Sequence, residues 1–212
     1  MTSDENFIPF YYKFGLSGDT PIPADYNGDG TTDYAVARSQ NGQKVWYISN
    51  GASSYTVAWG LSSDKISTGD FDGDGRADLV AIRSNAQNLV WYVRQSSNGL
   101  PRVFTFGIPS DAPIAGDFDG DGKTDITVFR PSTGTWYILR SGSGELQVTK
   151  FGLGGDIAQP ADYDGDGKAD IGVYRSSEGN WYLWLSGGNA QKVVHWGASS
   201  DIPVSSLNSL SL

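Results

Sequence analysis

The chain alternates short apolar runs with acidic, glycine-rich segments. Each acidic segment is followed by a run such as Leu79-Val-Ala-Ile82 or Ile126-Thr-Val-Phe129, in which successive positions are mainly apolar. Runs of this length and composition predict strands that are buried on both faces. In the stretch around residue 130, turn signals at 131–134 and 141–144 predict four strands, at 113–117, 126–130, 135–140 and 146–151.

The same pattern recurs along almost the whole chain. The acidic segments begin at Asp25, Asp70, Asp117 and Asp162, which are separated by 45, 47 and 45 residues. Four other sequence features recur with about the same period. They are an aromatic-Gly pair, an aspartate six residues before each acidic segment, an arginine at the end of the strand that follows the segment, and a Trp-Tyr pair. The aromatic-Gly pairs are Phe14-Gly15, Trp59-Gly60, Phe106-Gly107, Phe151-Gly152 and Trp196-Gly197.

A period in the mid-forties with several short strands per unit predicts an all-β fold, a β-propeller of four-stranded antiparallel blades. The whole chain, 1–212, is then a single repeat domain with units at about 16–60, 61–107, 108–152 and 153–197. Partial strands are predicted at 7–15 and 198–204. The four units either close as a compact ring or belong to a larger array, completed by more chain or by self-association with another copy.

The acidic segments have the spacing of a cation-binding loop. Oxygen-bearing side chains stand at positions 1, 3, 5 and 9, glycines stand at 4 and 6, and position 7 varies, as expected if it contributes only its backbone carbonyl. Calcium takes six to eight oxygen ligands, and the sharp turn inside such a loop needs glycine. The predicted metal ligands are Asp25, Asn27, Asp29, Thr31, Asp33; Asp70, Asp72, Asp74, Arg76, Asp78; Asp117, Asp119, Asp121, Lys123, Asp125; and Asp162, Asp164, Asp166, Lys168, Asp170.

About four Ca²⁺ ions per chain are therefore predicted. An EF-hand is excluded, because position 12 is Val36, Ala81, Val128 or Val173 instead of glutamate, and strands rather than helices follow the loops. The ligand that an EF-hand takes from the glutamate at position 12 would come here from water or nearby backbone. Two alternatives are a set of Asp-Gly hairpin turns without metal and a magnesium site, although magnesium prefers a rigid octahedral shell.

Composition and charge narrow the class further. Fifteen of the 24 acidic residues lie in the four loops, and four divalent ions would bring the formal charge from −9 to about −1. The chain has no cysteine, no apolar run as long as a membrane span, and no basic patch typical of nucleic-acid binding. Calcium loops predict an extracellular, cell-surface or periplasmic location, and since the first residues do not read as a leader, we expect a removed leader or a longer parent protein.

These motifs resemble the FG-GAP (integrin α-like) and VCBS-type repeats over about residues 7–204. The aromatic-Gly pairs match the FG half, and the aspartate loops match the calcium sites of the family. The Gly-Ala-Pro half is replaced by Thr68-Gly69-Asp70, by Ala115-Gly116-Asp117, or by Pro-Ala-Asp in the first and fourth units. The resemblance implies a calcium-stabilised extracellular propeller that serves adhesion or carbohydrate contact, often beside a separate catalytic domain.

Other candidate residues have simpler interpretations. His195 is the only histidine and has no partner for a metal or nucleophile site. The recurring arginines could bind anions, but stacking on a repeat aromatic and tying blades together is favoured; they are Arg38, Arg83, Arg130 and Arg175. The recurring aspartates are interpreted as turn caps rather than active carboxylates; they are Asp19, Asp64, Asp111, Asp156 and Asp201.

Aromatic residues are the remaining ligand candidates. The tryptophans of the Trp-Tyr pairs are interpreted as core rather than as sugar-stacking residues; they are Trp46, Trp91, Trp136 and Trp181. Trp184 breaks the repeat, because its equivalents are Ser49, Arg94 and Leu139, and it is either recruited for contact or incidental.

Three functions follow from this pattern. The favoured one is a non-enzymatic, calcium-stabilised adhesion or binding module with a protein or glycan ligand at a cell surface. The second is a carbohydrate-binding lectin with sites between blades. The third is a glycan-active enzyme or its accessory domain, which would need two carboxylates facing one bond; Glu145 and Glu178 are the remaining non-repeating candidates there, and the sequence shows no sign that they form such a pair.

Overall fold

The computed structural model describes residues 12–51 and 53–203, and every regular element in this part of the chain is a strand. Within these described residues, sixteen strands form four antiparallel sheets of four strands each. The described residues include no helix long and apolar enough for a membrane crossing. The predicted all-β class and the four-stranded antiparallel units are thereby confirmed.

Each sheet is a meander in which strands that follow one another in the chain are neighbours. Sheet 1 contains β1 (Thr20–Pro21), β2 (Tyr34–Gln40), β3 (Gln43–Ser49) and β4 (Ser54–Leu61). Sheet 2 contains β5 (Lys65–Gly69), β6 (Asp78–Ser84), β7 (Leu89–Arg94) and β8 (Pro101–Thr105). Sheet 3 contains β9 (Ala112–Gly116), β10 (Asp125–Arg130), β11 (Thr135–Leu139) and β12 (Leu146–Lys150). Sheet 4 contains β13 (Ile157–Ala158), β14 (Ile171–Arg175), β15 (Asn180–Trp184) and β16 (Gln191–His195).

The strands of sheet 3 agree with the sequence prediction to within one residue at each end. The first strands of sheets 1 and 4 are shorter, with two residues each. Pro23 and Pro160 follow these strands, and a proline has no N–H to donate to a ladder. Isolated bridges between Ala24 and Asp33 and between Ala161 and Asp170 continue the pairing beyond the prolines.

The second strand of each sheet is buried on both faces, as its apolar run predicts. In β10, Ile126 and Val128 pack into a core cluster with residues of sheet 2, whereas Phe129 packs into a cluster with residues of sheet 4. Alternate side chains of one strand therefore reach two neighbouring sheets, because successive residues of a strand point to opposite faces.

Three core clusters join the sheets in chain order, 1 with 2, 2 with 3 and 3 with 4. Each is built around a fully buried tryptophan of the third strand, Trp46, Trp91 or Trp136. The interpretation of these three as core residues is confirmed, whereas Trp181, in the last sheet, is only partly buried. The closure of the sheets into a propeller stays a prediction.

The aromatic-Gly pair connects each sheet to the next. In sheet 3, the Trp136 indole N–H donates to the Phe151 carbonyl at 3.0 Å, and the same bond recurs from Trp46, Trp91 and Trp181 to Trp59, Phe106 and Trp196. The glycine that follows the aromatic has a positive φ, +94° at Gly107. A Cβ added at Gly107 would lie 2.8 Å from Val128 Cγ1 of the next sheet, so this site requires glycine for both its conformation and its space.

Gly107→Ala is expected to lower the free energy of unfolding by about 2–4 kcal/mol, because it combines a left-handed backbone with overpacking against Val128. Gly144→Ala is the matched control, since Gly144 also has a positive φ, +72°, but no atom lies within 4 Å of an added Cβ. The control should lose only the backbone component, about 1–2 kcal/mol. Urea unfolding measures both, and equal losses would contradict the close approach of the sheets.

The described parts of the two flanking segments, 12–15 and 198–203, contain no strand, in contrast to the predicted partial strands. The other parts of those predictions, 7–11 and 204, lie outside the described residues. Phe14-Gly15 still contacts sheet 1, because a Cβ added at Gly15 would lie 3.1 Å from Val36 Cγ1. At the other end, the Tyr174 hydroxyl donates to the Ala198 carbonyl at 2.7 Å. Both segments therefore pack on the terminal sheets without pairing as strands.

Candidate metal centre

Each acidic loop joins the first strand of its sheet to the second. Loops 1 to 4 are residues 25–33, 70–78, 117–125 and 162–170, and positions are counted from the first aspartate. The glycines at positions 4 and 6 have φ close to +80°, for example +80° at Gly120 and +83° at Gly122. These values turn the backbone so sharply that its N–H groups point back toward position 1.

The position-1 carboxylate organises the loop. In loop 3, Asp117 Oδ1 accepts the Gly120 N–H at 2.6 Å, and Asp117 Oδ2 accepts the Gly122 N–H at 2.8 Å. The same two bonds are made by Asp25, Asp70 and Asp162 in the other loops. The glycines and the first aspartate thus fix one another, which is why this spacing recurs.

The position-9 carboxylate is buried and held from two sides. Asp125 is 0% exposed; its Oδ2 accepts the Phe118 N–H at 2.8 Å, and its Oδ1 accepts the Ser141 N–H at 2.6 Å. Ser141 belongs to the turn between β11 and β12, so a second segment of the same repeat closes over the loop. Asp78 and Asp170 have equivalent contacts with Ser96 and Ser186.

Positions 1, 3 and 9 come together in loops 2, 3 and 4. In each of these loops, one carboxylate oxygen from each of the three aspartates lies within 4.8 Å of the others. The three groups are Asp70, Asp72 and Asp78; Asp117, Asp119 and Asp125; and Asp162, Asp164 and Asp170. Three oxygen donors held this close by backbone N–H groups fit a hard divalent cation such as calcium.

The position-5 aspartates lie beside these triads and have hydroxyl partners. Asp121 Oδ1 accepts the Lys123 N–H at 2.8 Å and the Ser141 hydroxyl at 2.9 Å. Asp74 and Asp166 accept hydroxyls from Ser96 and Ser186. The structure therefore places this fourth predicted ligand at the edge of the site, tied to the turn that closes over the loop.

Loop 1 differs from the other three. Asn27 occupies position 3, and its Nδ2 donates to Asp29 Oδ2 at 2.9 Å. Thr31, at position 7, also contacts Asp29, through its hydroxyl and its N–H. An amide carries no charge, so Asp25 and Asp33 stand without a third carboxylate, and a triad of acidic residues is found only in loops 2, 3 and 4 of the described chain.

Neighbouring loops are hydrogen-bonded in series, which the sequence pattern did not reveal. The N–H at position 8 of loops 2, 3 and 4 donates to the position-1 carbonyl of the preceding loop: Ala77 to Asp25 at 2.7 Å, Thr124 to Asp70 at 2.6 Å, and Ala169 to Asp117 at 2.6 Å. The position-7 side chain covers the position-4 glycine of the preceding loop. Arg76, Lys123 and Lys168 lie over Gly28, Gly73 and Gly120.

The residue types at position 7 of loops 2, 3 and 4 fit this contact. These loops carry a long basic side chain there, which reaches over the preceding loop, and loop 1 carries Thr31. A cation beside a cluster of carboxylates reduces their repulsion. Arg76 also forms an ion pair with Asp74 of its own loop, with Nε 3.0 Å from Oδ2.

Burial makes the carboxylate cluster unfavourable without a cation. Burial raises the pKa of Asp78 to about 6 and that of Asp125 to about 6, despite the N–H groups that stabilise their charged forms. Burial also raises the pKa values of the position-1 residues Asp70 and Asp117. A divalent ion would offset this cost, because it favours the charged carboxylates.

A pH dependence of stability follows for the metal-free protein. With a folded pKa of about 6 and an unfolded pKa near 4, Asp78 and Asp125 bind more protons in the folded state between these values. In EDTA, the free energy of unfolding is therefore expected to fall as the pH rises from 5 to 7, by about 1–2 kcal/mol for each group. With calcium the direction reverses, since protons compete with the metal.

Thermal melts between pH 5 and 7, with EDTA and with calcium, check this sign. The double variant Asp78→Asn/Asp125→Asn is the control, and in EDTA it should lose most of the dependence, with a remainder from Asp70 and Asp117. A metal-free protein that becomes more stable on going from pH 5 to pH 7 would contradict the prediction.

The recurring arginines and aspartates form ion pairs at the connections between sheets. Arg83 donates from Nε and Nη2 to the two oxygens of Asp64, both at 2.9 Å, and its guanidinium lies 4.7 Å from the centre of the Tyr92 ring. Asp64 Oδ2 also accepts the Leu61 N–H at 2.7 Å. Burial opposes the charge on Asp64, but the hydrogen bonds from Arg83 and Leu61 outweigh it and lower the pKa of Asp64.

The same ion pair recurs in every sheet, as Arg38 with Asp19, Arg130 with Asp111 and Arg175 with Asp156. Each arginine also lies over a tyrosine of the next strand in its own sheet. The predicted stacking and the predicted turn caps are confirmed. Each arginine stacks on a tyrosine of its own sheet. Its contact with the connection that precedes the sheet is the ion pair with the aspartate.

The remaining sequence candidates are dispersed. His195 is exposed on β16, with Nδ1 2.9 Å from Asn180 Oδ1. Glu178 is exposed and contacts Tyr182 and Arg175, and Glu145 is exposed in the turn before β12. Trp184 is partly buried, with its ring 5.7 Å from that of Phe151 in an edge-on contact.

Fold and site together define an all-β repeat protein with an acidic loop in each of the four described sheets, and three of these loops hold an aspartate triad that suits a divalent cation. A family model described as FG-GAP-like repeat matches residues 25–81, 70–128 and 117–173. The chain therefore belongs to the FG-GAP-like repeat family. Each match begins at the first residue of one loop and ends in the strand that follows the next loop. It therefore includes two neighbouring loops and the hydrogen bond between them. A comparison with curated proteins gave no match.

Proposed function

We propose that this protein is a non-enzymatic binding module of the extracellular type, stabilised by calcium ions in its acidic loops. The observation that carries the proposal is the set of three aspartate triads, each with carboxylate oxygens within 4.8 Å of one another. Such a cluster is costly without a cation, and its ligands are oxygen atoms only. The position-7 backbone carbonyls, of Arg76, Lys123 and Lys168 in these loops and Thr31 in loop 1, remain proposed ligands.

A structural rather than catalytic role for the metal is supported by repetition. The loops recur with the same contacts in each sheet, whereas a catalytic centre is usually single. The recurring aspartates outside the loops are engaged by arginines in all four sheets. The ligand of the module is proposed to be a protein or a glycan at a cell surface, where calcium is abundant.

We also propose that the four sheets are blades of a propeller. Support comes from the order of the core clusters, which join sheet to sheet along the chain through the faces of the strands. In electron micrographs, single particles with calcium should show a ring with a central channel, formed by one chain or by two. A rod of stacked sheets would contradict this arrangement, and the mass in solution decides between one chain and two.

Isothermal titration of EDTA-treated protein with CaCl₂ tests the metal sites. Three tight sites are expected from loops 2, 3 and 4, and a weaker fourth from loop 1, because Asn27 replaces a carboxylate there. Asp125→Asn should remove one tight site. Asp201→Asn is the control and should leave the stoichiometry unchanged, since Asp201 caps the Ala198 N–H outside the loops. The absence of binding at millimolar calcium would overturn the proposal.

A further inference from the structure

A cavity of about 200 Å³ lies at the junction of sheets 3 and 4. Arg140, Gln147 and Thr149 line it from the third repeat, and Lys168, Trp184 and Asn189 line it from the fourth. Drug-sized ligands occupy cavities of about 300–1,000 Å³, so this volume suits one small ring.

The residues that line this cavity differ from those at the junction of sheets 2 and 3. The repeat tryptophan of each third strand is paired with a residue of the fourth strand, and these partners are Val57, Phe104, Thr149 and Val194. At the junction of sheets 2 and 3, Phe104 and Leu139 pack against the same core cluster. At the junction of sheets 3 and 4, Thr149 and Trp184 stand in their places and line the cavity. The cavity is therefore bordered by a hydroxyl group and an indole, where the other junction has a phenyl ring and a leucine.

Arg140 also departs from the repeat and brings a positive charge to this space. Its equivalents in the second and fourth repeats are Gln95 and Leu185. Arg140 donates to Gln147 Oε1 from Nη2 at 2.7 Å and from Nε at 3.2 Å, whereas Arg130 is paired with Asp111. Within the described residues, Arg140 has no carboxylate partner.

Lys168, whose side chain lies over Gly120 of loop 3, is a second cation at the same cavity and forms no ion pair among the described residues. The chain as a whole has a formal charge of −9, so two cations lining one cavity are a local exception. The planar guanidinium of Arg140 presents further N–H donors, a geometry that suits a carboxylate. The charge of the cavity therefore favours an anionic ligand.

Aromatic and amide groups complete the lining. Trp184 is partly buried and donates its indole N–H to Asn189 Oδ1 at 3.3 Å, which leaves the Asn189 amide N–H groups for another acceptor. An indole face attracts the C–H face of a sugar ring, because the π-system is negative on its face. Amide and hydroxyl side chains exchange hydrogen bonds with sugar hydroxyls.

We propose that this cavity binds a sugar ring that carries a carboxylate, a hexuronic acid. Arg140 and Lys168 bind the carboxylate, Trp184 stacks on the ring, and Gln147, Thr149 and Asn189 contact the hydroxyls. The proposal names a ligand class for the binding module proposed above and rests on that role. It adds a site formed by residues that differ from the repeat consensus, namely Arg140 and Thr149 in the third repeat and Trp184 in the fourth.

Titration with D-glucuronate and D-galacturonate, followed by saturation-transfer NMR in the presence of CaCl₂, tests the site. Saturable binding of at least one uronate is expected, with neutral D-glucose and D-galactose about tenfold weaker or more, because they lack the charged hydrogen bonds. Thr149→Phe, which fills the cavity with the residue of the second repeat, should abolish binding. Arg140→Gln should weaken it about tenfold or more.

Arg102→Gln is the matched control, because Arg102 is the equivalent of Gln147 in the second repeat and lies over Phe104 instead of lining this cavity. It should leave uronate binding unchanged. Uronate binding that is absent, that persists in Thr149→Phe, or that is equalled by the neutral sugars would overturn the inference. Calcium titration of the same samples separates the two proposals, since normal calcium binding without uronate binding overturns only this one.

Discussion

Trp136→Ala is expected to lower the free energy of unfolding by about 3–5 kcal/mol. Trp136 is 0% exposed at the centre of the cluster between sheets 3 and 4, with its ring 5.1 Å from that of Phe129. Its removal leaves a cavity between two sheets. It also leaves the Phe151 carbonyl without its 3.0 Å hydrogen bond, and a partly buried acceptor that loses its donor adds to the cost.

Trp196→Ala is the matched control, since Trp196 is 76% exposed and contributes only its backbone carbonyl to the same motif in sheet 4. The control should change stability by less than about 0.5 kcal/mol. Urea denaturation followed by circular dichroism measures both variants. A loss of similar size in the two would contradict the assignment of the buried tryptophans as the centres of the core, and with it the packing of sheet on sheet.

The strands could be predicted because their signals are local. The run Ile126-Thr-Val-Phe129 lies between an acidic loop and a turn, and the observed β10, Asp125–Arg130, differs from the prediction by one residue. The loops could be predicted for the same reason, since Asp117 and the two glycines that donate to it lie within six residues. Periodicity and turn chemistry suffice wherever the interacting groups are close in the chain.

Contacts between distant segments could not be predicted. The repeat pattern marks both Asp64 and Arg83, but they are 19 residues apart, and recurrence alone does not show that two residues meet. The role of Ser141, 16 residues after Asp125, had no signal in the loop motif. Asn27 is predicted as an oxygen ligand, and the donation of its amide to Asp29 is a further contact that the loop spacing does not show. These contacts depend on how sheets and turns pack, which the repeat pattern does not encode.

Trp184 differs from its equivalents in the other repeats, and its role can be interpreted only together with that of Thr149. The sequence alone leaves it as either a contact residue or incidental. In the structure it lines the same cavity as Thr149, which stands where the previous repeat has Phe104. Thr149 and Trp184 belong to different repeats and come together only where sheets 3 and 4 pack against each other. An alignment of the repeats shows that each residue is unusual, but the packing of the sheets is needed to show that they line one cavity.

Removal of calcium is expected to have the largest effect on stability. A ligand that binds only the folded state at a hundredfold excess over its Kd contributes about 2.7 kcal/mol, so three sites contribute about 8 kcal/mol, comparable to the 5–15 kcal/mol of a typical domain. Each kcal/mol shifts the melting temperature by about 2–4 °C for a chain of this size. EDTA should therefore lower the melting temperature by on the order of 20 °C relative to saturating calcium.

The loss should occur as a single transition rather than repeat by repeat, because the Thr124 and Ala169 N–H groups donate to carbonyls of the preceding loops. Asp125→Asn should remove about a third of the calcium-dependent shift, and it should also weaken binding in loops 2 and 4, since loop 3 is hydrogen-bonded to both. Equimolar magnesium should restore little, because it retains its water shell. Calorimetry with EDTA, calcium and magnesium measures the shift, and identical melts in EDTA and calcium would show that the carboxylates are stabilised by protein contacts alone.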